Sequence, residues 1–181
     1  ATLYMHNVLH ETMTMAGLVV MGLSIMMMIG SWVGGHLFDK WSPFKSIASA
    51  VALATTMLAL LTFWHSWPVF AVFMLILGFA DGIIYTLLNS YAATIQSLDS
   101  RRVFNMQYLF MNVGVVVGTA IVGFLFNHGV QYVFGGATIM YAIFFVLVLR
   151  HFNVKGMTAQ ASKEAAKAAK SNFKTPVLIY A

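Results

Sequence analysis

Asp81 is the residue of this chain whose surroundings make it the strongest candidate for chemistry. It lies about 13 residues into an apolar stretch that runs from about 68 to 95. A charged carboxylate is costly in an apolar environment, so a carboxyl group there is expected to carry a proton, to contact a substrate, or to be hydrogen-bonded for packing alone. Helical spacing places Gly78, Tyr85 and Asn89 on the face of Asp81, and we expect that face to line a cavity.

An acid and two bases stand where another long apolar stretch ends. Asp39 and Lys40 follow that stretch directly, and Lys45 comes after a Ser-Pro turn. Charge costs little at a boundary with water, so a solvated pair is one interpretation. The other interpretation is a gate, a contact that breaks and re-forms between conformational states, with Gly35 kept small so that helices approach closely.

Other polar and small residues lie inside the apolar stretches. Gln107, Tyr108 and Asn112 are expected to line a cavity or, equally, to form hydrogen bonds between helices, because polar groups in hydrocarbon face protein or water. Small residues four apart are typical of close helix packing. We assign that role to Gly30, Gly34, Gly114, Gly118 and Gly123.

A metal site or an enzymatic site finds little support in the chain. There is no cysteine, and His10-Glu11 lacks the second histidine of a His-Glu-x-x-His motif, because Met13 and Thr14 follow instead. None of the six histidines lies in the middle of an apolar stretch, and no second acid accompanies Asp81. We therefore predict no metal, no cofactor and no enzymatic activity.

The composition is typical of a polytopic membrane protein. Of the 181 residues, 60% are hydrophobic and 8% are charged, whereas about 25% are charged in soluble domains. Five stretches are each long enough to cross a hydrocarbon core of about 30 Å as a helix. They run from about 15 to 38, 46 to 63, 68 to 95, 103 to 126, and 132 to 149. Asp81 then lies near the bilayer midplane, where a charge costs about 2.5–3.5 kcal/mol on insertion scales.

All ten lysines and arginines fall on one side of these alternating spans. They lie in 39–45, in 97–102 and after the fifth stretch, whereas the opposite loops contain none. The positive-inside rule therefore predicts a multi-pass membrane protein in which 39–45, 97–102 and 152–175 are cytoplasmic. We expect the membrane to be the plasma membrane. A net charge of +5 confined to such segments does not indicate nucleic-acid binding.

The chain is expected to divide into three parts. Residues 1–151 are predicted to hold the end of one helix and five complete helices. Residues 152–175 form a basic linker of helix formers, solvated and touching anionic lipid, or else making a regulatory contact. Residues 176–181 look like the start of a further span. We predict an all-α membrane protein, a six-helix half whose first helix is cut short.

The segment Gly35-His36-Leu37-Phe38-Asp39-Lys40 resembles a motif of the major facilitator superfamily. That motif reads Gly-x-Leu-x-Asp followed by Lys or Arg, and it occupies the cytoplasmic loop between the second and third helices. Its usual continuation with glycine and two bases is degenerate, because residues 42–44 read Ser-Pro-Phe before Lys45. The helix count and the central linker fit the N-terminal half of such a transporter.

A second segment is similar in part to multidrug:proton antiporters of the same superfamily. Residues 114–123 follow the pattern Gly-x-x-x-Gly-Pro-x-x-Gly-Gly, except that Thr119 replaces the proline and Val122 replaces one glycine. Residues 101–114 look like the entry to that helix, with Gln107 where some members have a carboxylate. The arginine that many members carry ahead of a Gln-Gly is absent, since residues 74–78 contain no base.

The resemblance implies a secondary transporter that works by alternating access around a cavity between two six-helix halves. It implies export of small hydrophobic or drug-like compounds, driven by a proton gradient, with import of sugars or other small solutes as the alternative. Asp81 would couple protons, and Asp39 would meet the positive end of a helix in the C-terminal half of the same chain. The expected partners are a small-molecule substrate, the lipid bilayer and that second half. A non-transporting sensor with this fold is a third possibility.

Overall fold

A computed structural model describes residues 5–6, 9–64, 66–93 and 99–151, and every long element in these ranges is a helix. The helices are α1 (Met13–Lys40), α2 (Pro43–Phe63), α3 (Val69–Ala93), α4 (Ser100–Phe126) and α5 (Val130–His151). Each is long and apolar enough to cross a membrane. Within these ranges, the prediction of an all-α protein with five helices of membrane-spanning length is confirmed. The predicted linker and the predicted start of a further helix lie outside the described residues.

Local sequence explains where the helices begin. The Thr12 hydroxyl accepts a hydrogen bond from the Met15 amide at 3.2 Å and so caps α1. The Asp99 carboxylate accepts from the Arg101 amide, also at 3.2 Å, and caps α4. Such caps satisfy amide groups that have no partner within the first turn of a helix. Pro43 opens α2, where its missing amide proton costs nothing.

The motif around Asp39 lies in helices, and this corrects the expectation of a loop over 39–45. α1 continues through Asp39 and Lys40, two residues connect it to α2, and Lys45 stands in the first turn of α2. A lysine in the last turn interacts favourably with the helix dipole, so the helix extends beyond its apolar residues. Pro43 then pre-sets the backbone for the next helix, which leaves a connection of only two residues.

α1 and α3 run in the same direction, side by side. The contacts between them advance together along both helices. They begin near Gly22 and Leu75, and they continue to an edge-to-face contact between Phe38 and Tyr91, whose ring centroids are 6.0 Å apart. Two helices separated by one intervening span are expected to be parallel, so the packing agrees with an alternating arrangement of spans.

Glycines bring the backbones of α1 and α3 together. A Cβ atom at Gly30 would overlap the Phe79 carbonyl oxygen, and one at Gly82 would overlap the Met27 carbonyl oxygen. A Cβ at Gly34 would stand 3.1 Å from the Ile83 Cα. Small residues allow this approach, which gains van der Waals contact in a setting where lipid supplies no hydrophobic driving force between helices.

α5 packs mainly against α2, and it reaches another side of α3 through longer side chains while running in the same direction as α3. Phe70 meets Phe134 edge to face near the start of both helices, with ring centroids 6.0 Å apart. Further along, Asp81 meets Tyr141. α2 packs against both α3 and α5, and its Thr62 hydroxyl lies 3.5 Å from that of Thr138 on α5. α3 is thus the central helix, with α1, α2 and α5 around it.

All the bases within the described residues lie at one end of the bundle. Phe38 and Tyr91 place the ends of α1 and α3 together, and a hydrogen bond from Gln107 to Asn89 brings the start of α4 to that end. The bases at this end are Lys40, Lys45, Arg101, Arg102 and Arg150. The grouping that underlies the positive-inside argument is therefore present in the structure, while the orientation in the membrane stays a prediction.

α4 lies at the periphery of the described bundle. Apart from Val103, none of its described side chains is buried. Large apolar side chains such as Phe110, Val116 and Phe124 are about two-thirds exposed. The surface of α4 is available to lipid or to other protein segments over nearly its full length.

Candidate functional site

The centre of the candidate site is a hydrogen bond between two helix midpoints. Asp81 is the middle residue of α3, and Tyr141 stands near the middle of α5. The Tyr141 hydroxyl donates to Oδ1 of Asp81 at 2.7 Å, and both residues are partly buried. The structure therefore contains the interhelical bond that the packing interpretation of Asp81 requires. It also places a proton-binding group at the middle of a predicted span, next to a hydroxyl.

The residue after Asp81 fixes α3 against α1. The Ser31 hydroxyl donates to the Gly82 carbonyl oxygen at 3.3 Å, beside the close approach of Gly82 to Met27. Successive residues of a helix point about 100° apart, so α3 can contact α5 with Asp81 and α1 with Gly82. The backbone that carries the Asp81 side chain is thus held directly by a neighbouring helix.

A second polar contact joins α3 to α4. The Gln107 side-chain amide donates to Oδ1 of Asn89 at 2.8 Å, and this bond lies toward the end of α3 where the bases are. Gln107 Oε1 is buried and has no hydrogen-bond partner among the described residues. A buried acceptor without a partner is unfavourable, so this oxygen is suited to a donor from a ligand or from another part of the protein.

Four residues are predicted to share the Asp81 face, and three of them do so in the structure. Asp81 contacts α5, Asn89 contacts α4, and Tyr85 between them is 44% exposed. Gly78 does not belong to this face, because it packs against α1, where a Cβ would stand 2.8 Å from the Leu23 carbonyl oxygen. The face of α3 between α4 and α5 is therefore partly open and carries an acid, a phenol and an amide.

The remaining polar residues predicted on α4 are exposed. Tyr108 is 71% exposed, and Asn112 uses its side-chain amide to donate to the Tyr108 carbonyl oxygen of its own helix at 2.8 Å. Neither forms a hydrogen bond to another described helix. Of the three polar residues predicted on α4, Gln107 is the one that the structure joins to Asp81's helix.

The proposed gate residues lie on the surface of the described bundle. Asp39, Lys40 and Lys45 are exposed, and a Cβ at Gly35 would meet no atom within 4 Å. Among the described residues, no ion pair joins Asp39 to either lysine. Their roles as gate residues remain predictions, and their charges are available to a segment outside the described part of the chain.

The glycines predicted to pack helices fall into two groups. Gly30 and Gly34 lie against α3, as described above. Cβ atoms at Gly114, Gly118 and Gly123 would meet nothing within 4 Å, so these three form no close helix contact within the described chain. The two groups have similar spacing in the sequence. They differ because α3 packs closely against the first group, and no described helix packs closely against the second.

Three residues of the site were not singled out by their sequence. Tyr141 gave no signal, because one tyrosine in an apolar stretch resembles any other. Ser31 likewise belongs to no motif or spacing pattern that would indicate its contact. Gly82 follows Gly78 by four residues, so the small-residue spacing already used for Gly30 and Gly34 would have found it. No group of three or more potential metal ligands occurs in the part of the chain that the structure describes.

The sequence of this chain is similar to that of a known protein family and of two bacterial proteins. A sequence profile of the Major Facilitator Superfamily matches residues 1–181. The chain is 36% identical over 180 residues to the "Uncharacterized MFS-type transporter YttB" of Bacillus subtilis (strain 168), covering 98% of this chain and 45% of that protein. It is 26% identical over 156 residues to the "Uncharacterized MFS-type transporter YceJ" of the same organism, covering 86% of this chain and 40% of that protein. The chain thus spans less than half the length of either relative. No solved structure matches the chain.

Proposed function

Because the chain belongs to the Major Facilitator Superfamily, we propose that it forms the N-terminal half of a proton-coupled exporter of small hydrophobic or drug-like compounds. The protein would work by alternating access, with this bundle and a C-terminal half moving around a cavity between them. Its end with the bases would face the cytoplasm, and the protein would lie in the plasma membrane.

The position of Asp81 is the observation that carries the proton coupling. The chain has five acidic residues, and Asp81 is the one that lies at the middle of a described span. Ionisable residues at that depth commonly mark proton or substrate pathways, because their cost in stability is otherwise hard to balance. Tyr85, one turn from Asp81 on the same face, is exposed, so water or substrate would have a route to the carboxyl group along that face.

Proton binding at Asp81 would change the charge of the cavity wall. The carboxylate form carries a negative charge at the midpoint of α3, and the protonated form is neutral. Burial of the site away from water favours the neutral form, whereas an opening toward water favours the charged form. The charge state of one residue would therefore bias the equilibrium between the inward-open and outward-open states, which is what coupling requires.

The side chains available to a substrate favour a largely apolar compound. Tyr85 and Tyr108 present exposed rings, and the Asn89–Gln107 pair offers an acceptor at Gln107 Oε1. Methionine is frequent in α1, where Met21 and Met28 are more than half exposed, and its flexible side chain adapts to varied apolar ligands. A polar solute such as a sugar would need more amides and acids than this half presents.

The test uses the full-length protein in inverted membrane vesicles with an imposed proton gradient. Uptake of a fluorescent lipophilic cation would be compared for wild type, Asp81→Asn and Asp99→Asn. The last variant makes the same chemical change at an acid that caps α4, and asparagine keeps the cap. We expect gradient-driven uptake in wild type and Asp99→Asn, and its loss in Asp81→Asn.

Two other outcomes of the uptake experiment would lead to different conclusions. No uptake by the wild-type protein would count against drug export and would favour import of sugars or other small solutes. Uptake that survives Asp81→Asn would keep the exporter and return Asp81 to a packing role. Expression and membrane insertion of each variant would be measured alongside, so that loss of protein is not mistaken for loss of coupling.

A further inference from the structure

The hydrogen bond between Tyr141 and Asp81 has a geometry suited to control of a proton site. At 2.7 Å the bond has the usual length of an O–H···O bond and is also compatible with a charge-assisted bond from a phenol to a carboxylate. Tyr141 is the one hydrogen-bond partner of the Asp81 side chain among the described residues. The phenol is therefore placed to orient the carboxyl group that binds the proton.

The ring of Tyr141 is carried by a helix that is fixed at several points. Phe134, two turns earlier on α5, packs edge to face on Phe70 of α3. Thr138, one turn earlier, lies beside Thr62 of α2. These contacts fix the position of α5 next to α2 and α3. The Tyr141 hydroxyl therefore reaches Asp81 without a rearrangement of the helix.

Asp81 is fixed from the opposite direction. Gly82, the next residue, is locked against α1 by its close approach to Met27 and by the bond from Ser31. With its backbone held by α1 and its carboxylate held by α5, Asp81 has little freedom to turn toward another partner. Any change in the bond to Tyr141 therefore acts on the contact between α3 and α5.

We infer that Tyr141 is the positioning residue of the proton site: its hydroxyl holds the Asp81 carboxylate at the α3–α5 contact, and protonation of Asp81 loosens that hold. The inference rests on the proposed function, because it takes Asp81 as the acid that binds the transported proton. The step is a simple proton binding. A hydronium ion transfers a proton to the carboxylate: one O–H bond of hydronium breaks, one O–H bond forms on Asp81, and a water molecule and a neutral carboxylic acid result.

Protonation weakens the bond because its acceptor loses charge. Hydrogen bonds to ionised groups are roughly twice as strong as bonds between neutral groups. When Asp81 is neutral, Tyr141 donates to an uncharged carboxylic acid, and α5 is held less firmly on α3. Proton binding on α3 would in this way weaken the hydrogen bond that joins α3 to α5.

The other titratable groups of the packed helices lie nearer the helix ends. Tyr85 is the exception, one turn from Asp81 on α3 itself. The groups near the ends are His36, Asp39 and Lys40 on α1, Lys45 on α2, Tyr91 on α3, and Tyr132, Arg150 and His151 on α5. The pH dependence of the Asp81 site should accordingly depend on Tyr141 more than on any of these.

The decisive variant is Tyr141→Phe, which removes the hydroxyl and keeps the ring. We expect the pH at which gradient-driven uptake is half-maximal to move by about one unit, the size of a lost hydrogen bond to a charged group. Exchange of the fluorescent cation without a proton gradient would be measured on the same vesicles. Tyr132→Phe removes the same hydroxyl from an exposed position on the same helix and should change neither quantity.

The comparison with Asp81→Asn separates the two proposals. If Asp81→Asn abolishes coupling and Tyr141→Phe leaves the pH profile unchanged, the role of Tyr141 is refuted and the proposed function stands. If Asp81→Asn still couples transport to protons, Asp81 is not the coupling acid and the role of Tyr141 is refuted with it, while proton-coupled export through another residue stands. A fall of exchange and of driven uptake by the same factor in Tyr141→Phe would indicate a structural role alone and would overturn the inference.

A second measurement does not depend on how well the Tyr141 variant folds. Infrared difference spectra between low and high pH would be recorded on the wild-type protein with isotope-labelled tyrosine. We expect a tyrosine band that changes at the same pH as transport and is missing from Asp81→Asn. The absence of such a band in the wild-type protein would contradict the inference.

Discussion

Gly30 on α1 and Gly82 on α3 face each other's helices at a distance that excludes any side chain. Gly30 lies against the backbone of Phe79, and Gly82 lies against the backbone of Met27. The atoms in the way are main-chain carbonyl groups, which cannot turn aside as the end of a flexible side chain can. The contact is therefore an obligatory one for the α1–α3 pair.

Alanine at Gly82 should destabilise the protein. The added methyl group would overlap the Met27 carbonyl oxygen and force α1 away from α3, at a cost of about 1–3 kcal/mol. Thermal unfolding of the purified protein in detergent would measure this as a lower midpoint. Gly17→Ala is the matched control, because a Cβ there meets nothing within 4 Å and alanine favours the helix. Equal midpoints for the two variants would argue against the α1–α3 contact.

Asn89 and Gln107 should behave as a coupled pair. Replacing either by alanine leaves the other amide without its partner, so the double variant should cost less than the sum of the single variants. We expect a coupling energy of about 0.5–2 kcal/mol, as for other interhelical hydrogen bonds in membranes. Chemical unfolding of the four proteins would give the double-mutant cycle. Strictly additive effects would mean that the bond contributes nothing to the α3–α4 contact.

Asp39→Asn should slow transport without reducing the amount of protein in the membrane. Asparagine keeps the size of the side chain and removes the charge that we expect to meet a helix end in the C-terminal half. A loss of about tenfold in rate would match a typical coupling energy between conformational states. Glu11→Gln, the same change just before the other end of α1, serves as control. An unchanged rate in Asp39→Asn would support the simple solvated pair.

The orientation of the bundle can be tested with two single cysteines, since the chain has none of its own. Ser42→Cys lies at the end with the bases, and Asn127→Cys lies at the opposite end, and both positions are exposed. In a protein without other reactive cysteines, a membrane-impermeant maleimide should label Asn127→Cys in intact cells. It should label Ser42→Cys only after the membrane is permeabilised. The reverse pattern would invert the predicted topology.

The sequence was sufficient to locate the helices and the acid at the centre of the site. Hydropathy marks spans well because a membrane helix must satisfy its own backbone and present apolar side chains to lipid. Asp81 could be found for the same reason, since its cost in an apolar stretch is visible from the sequence alone.

The partners of Asp81 could not be found in this way. Spacing along one helix determines which residues share a face, but it does not determine which helix covers that face. For this reason helical spacing places Gly78 on the Asp81 face although it packs on α1, and spacing gives no indication of Tyr141 although its hydroxyl binds the acid. The same limit explains why Gly30 has a neighbour in the described chain and Gly118 has none.

The packing of α3 between α1 and α5 also has a consequence for how the protein is made. The glycine that Ser31 contacts is synthesised 51 residues later, and the tyrosine that holds Asp81 follows that acid by 60 residues. At about 5–20 residues per second, each partner leaves the ribosome roughly 3–12 s after the residue it will contact. α1 is therefore made before the helix that its glycines contact. Asp81 likewise reaches the membrane before its hydrogen-bond donor exists, so we expect this acid to insert without the bond that it forms in the folded bundle.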